Sequence, residues 1–227
     1  MAITSYPVRH ELKYLVHPAE LHYLRSVLDG LLMHDPNGDE NNEYHIRSLY
    51  FDSVHDDALH EKIAGVGNRK KYRIRIYDYS DRSIKLERKK KTGSYIYKEA
   101  ARLTRQQVYQ ILDGDYGFLL ASDQPLCQEF YYECMSNVMR QRTIVDYERQ
   151  PWIVDAGTVR ITFDMNVRAA VGSFDIFDPT LPGLPVLEPG KCVMEVKFTE
   201  FLPDFVRQVL PDRASEFTAV SKYVLCY

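Results

Sequence analysis

At 227 residues, 45% of them hydrophobic, the chain can bury one sizeable core, which excludes a fibrous or disordered polymer and leads to an expected single domain over residues 1–227. The formal net charge is only −3, yet residues 69–98 hold twelve Lys and Arg against three acids and leave about −12 on the remainder, so an anionic partner fits one region and not the whole surface. The four cysteines, Cys127, Cys134, Cys192 and Cys226, form no C-x-x-C pair, and no apolar run suits a signal peptide or a membrane span, so a cytoplasmic protein with reduced thiols is expected.

In chain order, "VRHELKYLV" (8–16) alternates as a strand does. "PAELHYLRSVLDGLL" then places Leu21, Leu24, Val27, Leu28 and Leu31 at helical spacing behind Pro18, a residue suited to the first helical position. The acidic, turn-rich "HDPNGDENNE" leads into a strand, "YHIRSLYFD" (44–52), and "DDALHEKIAG" predicts a short helix. Two basic strands, 69–78 and 82–91, are expected to form a hairpin through "YSDR". "TRQQVYQILDG" and "PLCQEFYYECMSNVM" read as helices. "RTIVDYER", "VRITFD" and "CVMEVKF" read as strands, and "LPDFVRQVL" and "TAVSKYVL" as closing helices. No internal repeat or low-complexity linker interrupts the series.

Side chains alternate across a strand, so each of these strands has two chemistries. Arg9, Glu11 and Lys13 share a face; so do Lys71, Arg73 and Arg75, then Lys85, Glu87 and Lys89, then Arg160, Thr162 and Asp164, and finally Glu195 and Lys197. The opposite faces carry Leu12 and Tyr14, Ile74 and Ile76, Ile84 and Leu86, Ile161 and Phe163, Met194 and Val196. For any single strand this describes a sheet with one wet face. Repetition argues for more, because the charged faces hold Arg and Lys with a few carboxylates and almost no neutral polar groups. If the sheet closes, its apolar face lies outside under the helices and its charged face lines the lumen, and a closed barrel of that kind is a cationic tunnel. Confined like charges repel, so the tunnel calls for a ligand with several negative charges in a row, such as a phosphate chain, and the interspersed carboxylates call for a hard divalent cation such as Mg²⁺ or Mn²⁺.

The motifs "RHELKY", "SLYFD", "KYRIRIYD", "KLERKKK", "VDYER", "RITFD", "MEVKF" and "SKY", in that order, resemble the catalytic domain of the vacuolar transporter chaperone (VTC) polyphosphate polymerases, within the triphosphate tunnel metalloenzymes. The resemblance runs from Arg9 to Tyr223 and implies an α+β fold, a closed antiparallel barrel of about eight strands flanked by helices around a cationic tunnel, and a metal-dependent phosphotransferase that uses ATP to extend polyphosphate. It implies Lys13, Arg73, Arg75, Lys85, Lys89, Arg149, Lys197 and Lys222 as phosphate ligands, of which Arg73, Arg75, Lys85, Arg149 and Lys222 are expected to be catalytic, and Tyr147 and Ser221 as hydrogen-bond donors; the shared strand faces add Arg9, Lys71 and Arg160 as substrate-binding cations. Glu195 is implied as the metal ligand for Mn²⁺ or Mg²⁺, with Glu11 as a second. The wider superfamily carries E-x-E-x-K in its first strand, where this chain has Arg9, Glu11 and Lys13. Replacing the first glutamate by a cation favours transfer or binding over hydrolysis. The chain is expected to be a stand-alone prokaryotic member, without the regulatory and membrane domains of the eukaryotic polymerases.

Two rival classes remain. A nucleic-acid module would use the basic region and the aromatics of "YRIRIYDY", but not the carboxylates on the same faces. A triphosphatase or a catalytically silent phosphate sensor of the same fold is the nearer competitor. The segment from Asp35 has Glu40 where a calcium loop needs Gly and Ile46 at its twelfth position, and the seven histidines keep no metal spacing, so calcium and zinc are not expected. Arg88 and Lys90 fall outside the charged phase and are expected to face outward, where they could recruit the product chain.

Overall fold

The strand alternation is realised in a computed structural model that describes residues 9–93, 95–211 and 221–227. In chain order the elements are β1 (Arg9–Val16), α1 (Pro18–Leu31), β2 (Met33–His34), β3 (Tyr44–Asp52), α2 (Asp57–Ile63), β4 (Arg69–Tyr77), β5 (Ser80–Thr92) and β6 (Tyr95–Leu103). There follow α3 (Arg105–Asp113), α4 (Gly117–Leu120), α5 (Pro125–Ser136), β7 (Arg140–Val154), β8 (Val159–Ala170), β9 (Gly183–Pro185), β10 (Cys192–Thr199), α6 (Asp204–Arg207) and α7 (Lys222–Leu225). The antiparallel strands pair in the order β1-β10-β8-β7-β3-β4-β5-β6, with β2 on β7 and β9 on β8.

Contacts gather the chain into two units, and β7 passes through both. The first unit takes the described parts of Met1–Tyr44, Tyr147–Val167 and Leu187–Val220. Its core joins Tyr14 and Val16 of β1, Ile161 and Phe163 of β8, and Met194 and Val196 of β10 to Leu24 and Leu28 of α1. These are the apolar strand faces read from the sequence, and each large aliphatic group buried there contributes roughly 1.5–3 kcal/mol.

The second unit takes His45–Asp146, Arg168–Val186 and Ser221–Tyr227. Leu49 and Phe51 of β3, Tyr72, Ile74 and Ile76 of β4, and Ile84 and Leu86 of β5 pack with Val108 and Ile111 of α3 and Phe130 of α5. Helix α3 is fixed at both ends: Thr104 and Gln107 form a reciprocal capping box, and Gly114 closes the helix in the left-handed region at φ 82°. At the end of β3, the Asp52 carboxylate accepts the backbone N–H groups of Ala58 (2.9 Å) and Leu59 (3.0 Å) and the hydroxyl of Tyr223. That carboxylate therefore caps α2 and anchors the C-terminal segment on β3.

Several expectations change in detail. The hairpin turns on Asp78 and Tyr79 and not on "YSDR". Both residues have positive φ (51° and 55°), as a two-residue turn matched to strand twist requires. Asp78 accepts the His45 N–H (2.8 Å), while Tyr79 stacks on His45 (4.2 Å) and under Arg47 (4.4 Å), contacts that hold a bulky residue in the left-handed region. β6, which sequence periodicity does not reveal, adds a strand. The expected closure is not reached among the described residues: the pairing path ends at β1 and β6, and β6 is exposed from Tyr95 to Ala100 as an edge strand is. "LPDFVRQVL" gives only the single turn α6. Residues 218–220 of "TAVSKYVL" lie outside the described residues, and the rest gives α7.

All four cysteines are buried and free. Burial pushes the thiols of Cys134, Cys192 and Cys226 up to about 12, so they are unreactive at neutral pH. Among the described residues no helix is long and apolar enough to cross a membrane.

Candidate active site

In the second unit the pairing of β4, β5 and β6 sets the charged side chains in cross-strand rows. Arg73 lies opposite Glu87, Arg75 opposite Lys85, and Lys71 opposite Lys89, which itself faces Lys98 of β6. Glu87 is 2% exposed and is the hub of this face. It accepts Arg73 Nη2 at 2.7 Å and Lys98 Nζ at 2.6 Å, with Arg75 Nε 4.0 Å away. Burial raises its carboxyl, but Arg73, Arg75 and Lys98 more than offset that and bring it down to about 2, so it stays ionised. The two arginines are thereby held in fixed directions. Arg73 also donates to the Tyr50 hydroxyl (2.7 Å), and Arg75 to Ser48 Oγ (3.2 Å).

The positive potential here shows in its neighbours. The Tyr50 phenol is raised by burial, yet Arg73, Arg75 and Lys222 bring it below the ordinary tyrosine range. Burial, together with Lys62 and Arg69, lowers the Lys71 ammonium to about 7. Lys71 donates to Ser221 Oγ (3.4 Å) and lies over the Tyr223 ring (4.4 Å), so the anchored C-terminal segment brings Ser221 and Lys222 beside β4. Lys85 is half-buried, 6.0 Å from the Tyr77 ring, and Lys89 is exposed.

In the first unit the charged face centres on two carboxylates. Lys13 pairs across the ladder with Glu195, and Glu11 with Lys197. Lys13 Nζ lies 3.4 Å from both Glu11 and Glu195, and Lys197 Nζ lies 2.6 Å from Glu195 and 3.9 Å from Glu11. Burial lowers Lys197 to about 8, against the pull of Glu195. Arg149 makes a fork to the fully buried Asp164 (2.6 and 2.8 Å), comes within 3.6 Å of Glu195, and covers the Tyr147 ring at 5.4 Å. Burial lowers the Arg149 guanidinium, but Asp164 outweighs that and holds it well above its usual range. Arg160 goes elsewhere: it pairs with Asp35 (2.7 Å) and donates to Tyr44 (2.9 Å), which makes it a structural clasp for the loop before β3.

Glu11 and Glu195 offer hard oxygens on adjacent strands, close enough to share one ammonium. Across β8 the Thr162 hydroxyl, at a residue 1% exposed and paired with Glu195, has no hydrogen-bond partner. Among the described residues no group of three or more His, Cys, Asp or Glu could enclose a metal. Two carboxylates and an unsatisfied hydroxyl instead suit Mg²⁺ or Mn²⁺, which keeps waters and takes further oxygens from bound phosphates.

The expected residues thus fall into two sets. Lys71, Arg73, Arg75, Lys85, Lys89, Ser221 and Lys222 belong to the second unit, while Glu11, Lys13, Tyr147, Arg149, Arg160, Glu195 and Lys197 belong to the first. Arg9 opens β1 opposite Thr199, and the role expected of its side chain lies outside the described residues. Arg88 faces outward as expected but is held by Glu129 of α5 and by Glu99 (2.7 Å), so it is occupied as a structural pair. Sequence reading missed Lys98, Tyr50 and the Asp52–Tyr223 anchor. Lys98 could be found only by recognising "YIYKEAARL" as a strand.

A family model, the VTC domain, matches residues 8–227. No curated protein sequence matches the chain. Among solved structures, a protein from Hippeastrum described as a candidate adenylyl cyclase with a dominant triphosphatase activity is similar at a TM-score of 0.57 and 12% identity, over 97% of this chain and 95% of that one. A candidate adenylate cyclase from Bacillus halodurans is similar at a TM-score of 0.52 and 12% identity, over 89% of this chain and 86% of that one. At that identity the likeness speaks for the fold.

Proposed function

The chain belongs to the VTC domain family, with the triphosphate tunnel (CYTH-like) fold, and from that premise we propose that it is a polyphosphate polymerase using ATP and Mn²⁺ or Mg²⁺. Family and fold support an enzyme with a polyphosphate-related or triphosphatase function. The observation that carries the finer reading is the crowding of Lys71, Arg73, Arg75, Lys85, Lys89 and Lys98 on one sheet face, where Glu87 and, beside Lys71, Asp52 are the carboxylates that meet them. Such a face binds phosphate oxygens by charge-assisted hydrogen bonds, with Arg in forks and Lys as point charges.

In the proposed reaction the bond from the γ-phosphorus of ATP to its β,γ-bridging oxygen breaks, a bond to the terminal oxygen of the growing chain forms, and ADP leaves. A terminal phosphate is already an anionic nucleophile near neutral pH, so the protein must position it and neutralise charge without a strong general base. Arg73 and Arg75, held by Glu87, Tyr50 and Ser48, are preorganised for that task, and Lys85 and Lys222 add charge beside them. In the first unit Lys13, Lys197 and Arg149 are the corresponding phosphate-binding groups, with Tyr147 beneath Arg149. Glu195 and Glu11 would hold the divalent cation, which supplies neutralisation of phosphate charge. Water as the nucleophile needs activation, and Arg9 stands where hydrolytic relatives carry a glutamate. The test is to incubate the protein with ATP and Mn²⁺ and to look for ADP and long, acid-stable phosphate chains on a gel. Stoichiometric orthophosphate with no chain, even from a short primer, would establish a triphosphatase in its place.

Lys71 gives this reading a pH signature. With its ammonium lowered to about 7 in the ligand-free protein, only about half the molecules carry that charge at neutrality. A bound polyanion favours the protonated form, so binding takes up a proton, and affinity should fall as pH rises through and above 7. The fall should approach roughly tenfold per pH unit until the bound-state pKa is reached. Calorimetry of tripolyphosphate binding in buffers of different ionisation enthalpy should detect the proton, and Lys71→Met should lose the part of the pH slope that the ligand's own titration does not supply. An unchanged slope in Lys71→Met would remove Lys71 from the site.

A further inference from the structure

The charged face of β4, β5 and β6 continues one row beyond the residues assigned above. Arg69 pairs directly with Lys91, and Lys91 with Ile96, two residues along each strand from the row of Lys71, Lys89 and Lys98. Alternation puts Arg69 and Lys91 on the same face as Arg73 and Arg75. Four successive rows then run from Arg75 and Lys85 to Arg69 and Lys91, about 20 Å at the usual rise of a strand. Like charges set directly opposite destabilise a ladder, and here the Arg69–Lys91 and Lys71–Lys89 pairs follow each other. Protection of a sheet edge by lysine does not explain them, since β5 lies between β4 and β6 and their pairing is internal. Local compensation is uneven: Asp52 and Glu87 serve the Lys71–Lys89 row, whereas at the outer row Arg69 donates to the Val66 carbonyl and feels the charge of Glu61, Glu87 sits two rows away, and Glu99 is on the opposite face with Arg88.

We propose that the Arg69–Lys91 row is a subsite for the extended part of a linear polyphosphate, engaged by a chain longer than a triphosphate and left unused by the triphosphate itself. This rests on the polymerase reading and deepens it, because the row would let the protein hold its product while the reacting end occupies the rows at Arg73 and Arg75. A phosphate chain fits better than a nucleic acid, since the row continues a face of cations set at phosphate-binding positions and its β6 neighbour is Ile96, while the rings of that face, Tyr50, Tyr77 and Tyr223, lie against the cations of the other rows.

The test compares binding of tripolyphosphate and of long-chain polyphosphate to the full chain, at fixed pH and salt, for the wild type, Lys91→Ala and Arg69→Ala. Lys91→Ala should weaken long-chain binding roughly tenfold, the usual size of one charge-assisted contact, and leave tripolyphosphate within about twofold. The salt dependence of long-chain binding should become shallower by about one counterion. The ligand-free Lys91→Ala protein should melt no lower than the wild type, because the substitution removes a like-charge pair. Equal weakening for both ligands would place the row in the triphosphate site, and no weakening for either would make it a solvated face; each overturns the proposal. So would single-stranded DNA bound as tightly as polyphosphate and with the same sensitivity to Lys91→Ala. A wild-type protein that bound neither phosphate ligand would overturn the functional reading itself, an outcome separate from all of these.

Discussion

Glu195→Gln is expected to lower turnover at limiting Mn²⁺ by about a hundredfold or more while leaving metal-free binding of tripolyphosphate intact or tighter. The reasoning follows from what Glu195 touches. Its carboxylate faces Lys13 at 3.4 Å, Lys197 at 2.6 Å and Arg149 at 3.6 Å, so removing its charge leaves three cations less compensated and more receptive to phosphate. The amide keeps the size and one acceptor oxygen, so the sheet should persist. A divalent cation would lose one of two charged ligands, and Glu11, about a fifth exposed, would hold it poorly alone. Turnover measured against Mn²⁺ concentration, beside calorimetric affinities for Mn²⁺ and tripolyphosphate, separates the two effects. Full activity of Glu195→Gln at limiting Mn²⁺ would show that the metal is held elsewhere.

The second large effect concerns stability. Ile74 is fully buried in β4, with Leu49 of β3 and Leu86 of β5 as its cross-strand neighbours in the core under α3 and α5. Ile74→Asp should cost on the order of 5 kcal/mol, comparable with the whole stability of a domain, because it buries a carboxylate among apolar groups while the cations of that face, Arg47, Lys70 and Arg88, are already paired with Asp146, Glu133 and Glu129. Circular dichroism should find the variant unfolded or melting far below the wild type, whereas Ile74→Val should lose only about 1 kcal/mol. Arg73, the next residue and of opposite phase, offers the contrast: Arg73→Ala should retain the fold. If Ile74→Asp melted like the wild type, the assignment of the two faces would be reversed.

Alternation alone was enough to assign the faces of β1, β4, β5, β8 and β10, because the direction of successive side chains is a local property of an extended backbone. The sequence thereby determined which groups face the core and which cations share a surface, and the order of eight motifs pointed to the family. It did not reveal β6, an edge strand whose Tyr95, Ile96 and Tyr97 are all exposed and which therefore carries no alternation of burial. The hairpin turn was also hidden, since Tyr79 has no intrinsic preference for positive φ and is held there by His45 and Arg47 from another strand. Charge partnership is the larger case. Arg73, Arg149 and Arg160 look alike in the sequence, yet one is aimed by Glu87, one is forked to Asp164 and one is spent on Asp35. Those differences depend on register between strands distant in the chain and on which carboxylate burial brings within hydrogen-bond reach, and only the tertiary structure decides either.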